Sequence, residues 1–283
     1  MYKVLLFYKY VNIENPKALM DRERSVLSVL NMKGRLLIAE EGINGIVEGT
    51  VEACDKYIAH LREDGRFKKM NIKESEGTGN AFPKLIVKVK DEIVSTKFPK
   101  EINPNKATGK RLQPHELKRW YEEDKDFVVV DMRNDYELKS GYFDKTVNPG
   151  LKSSRDLANK EVIDKLRIHN DKTIVTVCTG GVRCEKMSAY LLSQGFKDVY
   201  QLHNGMHAYM EAFPGDKNYK GTLYTFDNRR VMNFGGDREI VGRCDDCAVP
   251  CEDYYDYLKD DGHEEQVILC QECAAAKGGR VRK

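Results

Sequence analysis

The chain carries little net charge and has no long apolar run. Its 47 Lys+Arg against 45 Asp+Glu leave a formal charge of +2, too small by itself to imply a nucleic-acid partner. No segment approaches the roughly 20 apolar residues of a membrane span. The opening Met1-Tyr-Lys-Val-Leu-Leu-Phe breaks off by Lys9, short of the apolar core of a secretory signal. These absences exclude a helical membrane protein and lead us to expect a cytoplasmic one. Sequence signatures of flavin, haem and two-histidine–carboxylate iron sites are lacking as well. What is present is 41% hydrophobic and 33% charged residues, the composition of a soluble globular chain. At 283 residues two or three domains are expected. Eight cysteines without a secretory signal read as reduced thiols and metal ligands rather than disulfides.

The most informative stretch is Cys178-Thr179-Gly180-Gly181-Val182-Arg183, directly after the β-branched run Thr173–Val177. Such a run predicts a buried strand, and the two glycines allow a tight turn with inward-pointing amides. Met187, Tyr190, Leu191 and Leu192 then space one face of a helix over Glu185–Phe196. A cysteine at the mouth of a strand–loop–helix meets backbone amides and the positive end of a helix, which lower a thiol's pKa and cradle an anion. The pattern predicts a thiolate at Cys178, stabilised by the amides from Thr179 to Arg183 and by the Arg183 guanidinium. An inert structural cysteine on a Gly-rich turn is the alternative. Cys184 is either a resolving thiol for an oxidised or sulfurated Cys178 or a packed core residue. Asp131 and Arg133, at the end of a neighbouring predicted strand, either support the site or tie that strand to its turn.

The chain divides by pattern. Strands are predicted over Tyr2–Tyr10, Arg35–Ala39, Ile43–Glu48 and, as the fourth, Lys84–Val89, with helices over Pro16–Leu30 and Val51–Glu63. This β-α-β-β-α-β order fits a ferredoxin-like (acylphosphatase-like) α+β domain over residues 1–98. Pro99, Pro104, Gly109 and Pro114 punctuate a connector over 99–123. Residues 124–218 alternate strands (Phe127–Asp131, Thr173–Val177, Asp198–Leu202) with helices (Lys160–Leu166, Glu185–Phe196, Met206–Ala212), an α/β domain with a parallel sheet. Residues 219–283 are polar, poor in regular runs and too small for a good core unaided.

Charge is uneven across these parts. Residues 1–123 hold 23 basic against 18 acidic side chains, 124–218 hold 14 against 14, and 219–283 hold 10 against 13. Lys97, Lys100, Lys106, Lys110 and Arg111, followed by Lys118 and Arg119, form a basic stretch that could hold a phosphate backbone or be a solvated linker. Trp120 and Tyr121 beside it either stack a base or begin the α/β core. In the tail, Cys244-x-x-Cys247 and Cys270-x-x-Cys273 are 22 residues apart, the spacing of a four-thiolate structural zinc ribbon, with reduced cysteines or a lost metal as the alternative. Cys251 is a fifth thiol and an alternative ligand, as is His263. His203, at a strand end, either lines the site rim or is a satisfied loop histidine, while His60 and Cys54 read as packing residues.

Asp131-Met-Arg133-Asn134-Asp-Tyr136-Glu137, Gly141-Tyr-Phe143 and the Cys178–Arg183 loop together resemble a rhodanese domain. Ala39-Glu-Glu-Gly42-Ile-Asn44-Gly45, Gly205 and Phe226-Asp227-Asn228-Arg229 extend the resemblance, over about residues 1–275, to the bacterial tRNA uridine hydroxylase family. That resemblance implies a rhodanese-like central domain and oxygen-dependent formation of 5-hydroxyuridine at the wobble position in the tRNA anticodon region. It implies molecular oxygen as co-substrate and Cys178 as the active cysteine, working as thiolate or persulfide. The four-residue gap between Cys178 and Arg183 resembles the sulfur-handling loop rather than the wider Cys-x5-Arg loop of cysteine phosphatases. Two other readings fit the loop: persulfide sulfur transfer, and a non-enzymatic tRNA-binding or redox-sensing module. The oligomeric state is not encoded in any feature of the sequence.

Overall fold

The computed structural model describes residues 1–236 and 239–283. The N-terminal domain runs β1 (Tyr2–Tyr10), α1 (Pro16–Val29), β2 (Lys33–Ala39), β3 (Gly42–Thr50), α2 (Val51–Glu63), β4 (Ile72–Gly77) and β5 (Leu85–Val89). Its sheet has the order β4-β1-β3-β2-β5. All neighbours are antiparallel except β5, which lies parallel to β2. The first four strands and both helices make the expected ferredoxin-like arrangement. The strand expected as the fourth, at Lys84–Val89, is the fifth, added at the far edge. The real fourth strand escapes pattern reading because Ile72-Lys-Glu-Ser-Glu-Gly77 has a single large apolar side chain and owes its extended form to pairing with β1.

Both faces of this sheet are apolar. Along β1, Leu5 and Phe7 enter the core under the helices with Leu19, Leu27, Tyr57 and Leu61. Val4, Leu6 and Tyr8 point the opposite way, the period-two alternation of a strand, and face the second domain across a cavity. A sheet apolar on both faces must be covered twice. Helices cover one face here, and the rest of the chain covers the other.

The second domain contains β6 (Lys110–Leu112), α3 (Pro114–Glu122), β7 (Phe127–Asp131), α4 (Asp135–Leu138), β8 (Gly141–Phe143), β9 (Thr146–Val147), α5 (Lys160–Arg167), β10 (Thr173–Val177), α6 (Val182–Ser193), β11 (Val199–Leu202) and α7 (Gly205–Ala212). Its sheet, in the order β6-β11-β10-β7-β9, is parallel throughout. Val128, Val130 and Ile174 pack on one face with Ile163, Leu166 and Met187. Val129, Val175 and Val177 pack on the other with Leu117, Met206 and Tyr209. Burial on both faces is why these strands read as continuous apolar runs. The expected connector, 99–123, joins this domain from Lys110 onward: β6 pairs with β11, and Leu117 of α3 is in the core. Trp120 meets Tyr200 edge-on with ring centroids 5.0 Å apart, and Tyr121 meets Phe127 in the same way at 5.0 Å. Both begin the α/β core.

The polar tail is more regular than its composition suggests. β12 (Tyr219–Gly221) pairs with β8, and β13 (Leu223–Tyr224) with β14 (Val231–Met232). Beyond residue 239, β15 (Tyr254–Leu258) is flanked by β16 (Glu264–Ile268) and β17 (Val281–Arg282), with α8 (Gln271–Lys277) between the last two.

A candidate active site between the domains

β10 ends at Val177 and α6 begins at Val182, so Cys178–Gly181 forms a turn at the carboxyl edge of the parallel sheet, where ligand sites of such sheets lie. Three loop carbonyls are tied down by outside donors. Cys178 O accepts from Met206 N at 2.9 Å and Thr179 O from His207 N at 3.1 Å, while Gly180 O accepts from Lys73 Nζ at 3.1 Å. The Gly181 amide donates to Cys178 Sγ at 3.2 Å. Gly181 has φ of +101°, and a Cβ there would come within 2.8 Å of the Tyr8 hydroxyl. Gly205 lets α7 approach closely enough for its two amides to reach the loop: a Cβ there would lie 2.6 Å from Cys178 O. The loop is thus shaped from both sides, by the N-terminal sheet and by α7.

Cys178 is fully buried. Burial pushes its thiol up, but the Cys184 hydrogen bond, the Arg183 charge and the amides of Cys184 and Gly181 outweigh burial and bring it to about 6. Cys184 is equally buried, and burial together with Cys178 pushes its thiol well above the ordinary range. At neutral pH the pair is a Cys178 thiolate beside a Cys184 thiol. Arg183 is already engaged: Nη1 and Nη2 donate to the Glu137 carboxylate at 2.6 and 2.9 Å, and the Phe226 ring lies 5.5 Å from the guanidinium. Its charge reaches Cys178 partly cancelled by Glu137, a residue that sequence reasoning quoted within a motif without giving it a role.

Above the loop a cavity of about 340 Å³ opens between the two domains and the tail, within the size range of small-ligand sites. Leu6, Tyr8, Asn44 and Ile46 line it from the N-terminal sheet, Cys178, Thr179, Gly180, Val182 and Arg183 from the loop and α6, and Phe226, Arg229 and Met232 from the tail. His207 lines it from α7. Burial, with the Lys73 and Arg229 charges, pulls this imidazole down to about 4, so it is neutral at physiological pH. The walls are held together by polar ties. Tyr8 donates to Glu185 Oε1 at 2.9 Å and Tyr10 to Val182 O at 3.1 Å. Buried Lys186 lies 2.8 Å from both Glu41 and Glu92. Arg229, paired with Asp227 at 2.7 Å, reaches Ser75 Oγ at 2.8 Å and Glu76 O at 2.7 Å. The motifs around Glu41 and Asp227 therefore fasten the N-terminal domain over the loop.

The remaining sequence-predicted residues fall elsewhere. Arg133, wholly buried, donates to Asp131 Oδ2 at 2.8 Å, to Gly141 O at 2.6 Å and to Glu137 O at 3.2 Å. The pair ties β7 to the turn that presents Glu137, and neither residue lines the cavity. Lys110 is paired with Asp198 at 3.0 Å and Arg111 with Glu185 at 3.5 Å. Lys97, Lys100 and Lys106 are exposed on the segment that follows the cavity residues Ile93–Ser95. His203 is half-buried beside Arg111, and burial lowers its pKa. His60 stacks on Tyr57 and meets Glu23, and Cys54 is core. Lys73 and His207 went unnoticed in the sequence: the first lies in a strand without pattern, and the second is marked only by its place two residues after Gly205.

A second thiol site lies in the tail. The sulfurs of Cys244, Cys247, Cys270 and Cys273 lie within 4.8 Å of one another, with Cys247 and Cys270 3.7 Å apart. Four sulfurs about 2.3 Å from one tetrahedral zinc would be about 3.8 Å apart, so the donor set fits that ion. Cys251 and His263 stand outside the cluster.

Residues 2–93 match the UPF0176 acylphosphatase-like domain, 113–212 the rhodanese-like domain and 220–283 the rhodanese C-terminal family. The tRNA uridine(34) hydroxylase of Staphylococcus carnosus is 37% identical over 99% of this chain and 92% of its own length. That of Corynebacterium jeikeium is 38% identical over 96% of this chain and 90% of its own. That of Bacillus licheniformis is 39% identical over 96% of this chain and 84% of its own. With all three parts of the chain matched in order and such identity across almost its whole length, the protein belongs to the tRNA uridine(34) hydroxylase family.

Proposed function

We propose that the protein hydroxylates C5 of the wobble uridine of tRNA, with molecular oxygen as co-substrate, and that Cys178 is its reactive residue. The observation that carries this reading is a thiol made acidic by its own loop and lining a nucleobase-scale cavity closed by three separate parts of the chain. A uridine reaches such a cavity only when turned out of its stack, as enzymes acting on bases require. Leu6, Ile46 and Phe226 would hold its faces and exclude water, while Asn44, Thr179 and His207 offer polar contacts to its edge. Dioxygen would supply the new oxygen atom, and the second oxygen atom would leave as water with two electrons from an external donor.

Lys97, Lys100 and Lys106, together with exposed Arg35 on the cavity wall, would take the phosphates of the anticodon arm. A zinc ion held by Cys244, Cys247, Cys270 and Cys273 would be structural, because four thiolates leave no open coordination position. No helix among the described residues is long and apolar enough to cross a membrane, and we place the enzyme with its tRNA in the cytoplasm. The test is the nucleoside content of tRNA from a strain lacking the gene, complemented with wild type or with Cys178→Ser. Restoration of 5-hydroxyuridine by wild type alone supports the reading. Equal nucleosides in the two strains would transfer the loop to sulfur-transfer chemistry, recognisable as thiocyanate release from thiosulfate and cyanide.

A further inference from the structure

Buried cations in this protein come with carboxylates, as burial demands. Arg133 has Asp131, Arg183 has Glu137, and Lys186 has Glu41 and Glu92. Lys73 of β4 is different. It is 5% exposed, sits opposite Leu6 on the cavity side of the sheet, and donates to Gly180 O with its ammonium 5.6 Å from the Tyr8 ring centroid. Among the described residues it has no carboxylate at ion-pair distance. Burial pulls its pKa down to about 8, and the charge that most opposes this pull is Cys178, ahead of Glu211 and Glu185. The N-terminal domain thus inserts an unpaired cation behind the loop, and the thiolate is its nearest equivalent of a counter-ion.

That arrangement suits an anion that moves without leaving the site. C5 of a uracil is a poor nucleophile until something adds at C6. We propose that Cys178 activates its base by reversible addition to C6 of the pyrimidine, and that Lys73 is the positioning cation that keeps the resulting negative charge in place. The proposal rests on the reading that the cavity receives a uridine. In this step the S–C6 bond forms, and the C5–C6 π pair shifts through C5 to leave an enolate on O4. The charge passes from sulfur to the base within the field of Lys73. A proton from water can add to C5, with the neutral imidazole of His207 on the cavity wall as its carrier. Loss of the hydrogen first present at C5, followed by expulsion of the thiolate, restores the double bond. Nothing is oxidised or reduced, so the exchange needs no oxygen. The same enolate is the electron-rich C5 that hydroxylation requires.

The experiment uses the full-length enzyme and its tRNA, carrying deuterium at C5 of uridine 34, with oxygen excluded. Wild type is expected to wash deuterium out at that nucleotide alone, with no gain of an oxygen atom, and Cys178→Ser to leave it in place. Lys73→Met, of similar length and without charge, is expected to slow the exchange about tenfold, the equivalent of one pKa unit of lost anion stabilisation, with an unchanged melting curve. Lys73→Arg is expected to retain most of the exchange. An enzyme that hydroxylates this uridine in air, yet keeps deuterium at C5 without oxygen, overturns the addition. Undiminished exchange in Lys73→Met removes Lys73 from it. Absence of both hydroxylation in air and exchange overturns the substrate reading itself.

Discussion

The protein holds two kinds of thiol site that stabilise a negative sulfur by opposite means. In the loop a single acidic sulfur is fully buried and served by the Gly181 amide, the Cys184 thiol and the field of Arg183. In the tail four sulfurs converge, with Cys247 exposed and Cys270 and Cys273 half-buried. Amides and distant cations leave a sulfur lone pair free to attack a carbon. A zinc ion shared by four thiolates would occupy those lone pairs and make the sulfurs a staple. The difference teaches that cysteine count and spacing point to the proposed staple, whereas the sulfur proposed as reactive is marked by what surrounds it.

The comparison breaks most sharply if the two sites are exchanged in a mutational test. Cys178→Ser is expected to abolish 5-hydroxyuridine formation in a protein that stays folded and keeps its tail intact. Cys270→Ser is expected to reduce a content of about one zinc per chain to none and expose residues 239–283 to protease. Activity would fall only because the tail braces the site through Tyr254, whose hydroxyl donates to Tyr136 O at 2.6 Å. A tail that keeps its protease resistance without metal would end the staple reading. Next in size is Glu137→Gln, which leaves Arg183 buried without its carboxylate and is expected to destabilise the protein by about 3–5 kcal/mol, measured by denaturant unfolding. An unchanged midpoint would mean that the pair is dispensable.

The comparison sharpens with pH. Alkylation of Cys178 by a small reagent should rise through a midpoint of about 6, well below an ordinary thiol. Because the folded-state pKa is depressed, the associated stability is complete above the unfolded thiol's pKa of about 8.5 and is lost as pH falls through about 6. Stability that rises with acidification across this window would contradict a native thiolate. The smallest effect is expected at the rim: Lys106→Ala should weaken tRNA binding modestly and reduce the salt-dependence slope by about one. The Lys110→Ala change should do less, since that ammonium is paired with Asp198. Equal slopes in both variants would place the phosphate track elsewhere.

Much of this architecture is legible along the chain where burial is two-sided. Phe127–Asp131 and Thr173–Val177 coincide with their strands because helices cover both faces, and unbroken β-branched runs leave few other choices. Where an element is stabilised by its neighbour rather than by its own side chains, the pattern is silent. Ile72–Gly77 is a strand because β1 pairs with it. Lys110–Leu112, read as part of a basic connector, is a strand because β11 pairs with it. One overlooked signal was available: Val4, Leu6 and Tyr8 alternate with Leu5 and Phe7, so β1 is apolar on both sides and requires a second partner.

By itself the sequence determined the order of domains, the strand–loop–helix that carries Cys178, and the paired cysteines of the tail, because these rest on local periodicity and short spacings. Only the tertiary structure decided which groups surround the sulfur. Lys73, Glu137, His207 and Cys178 are scattered over more than a hundred residues of chain, and their mutual effects depend on distance and burial. Charge interactions fall off over a few ångströms and strengthen where water is excluded. They become defined once the N-terminal sheet closes over the loop.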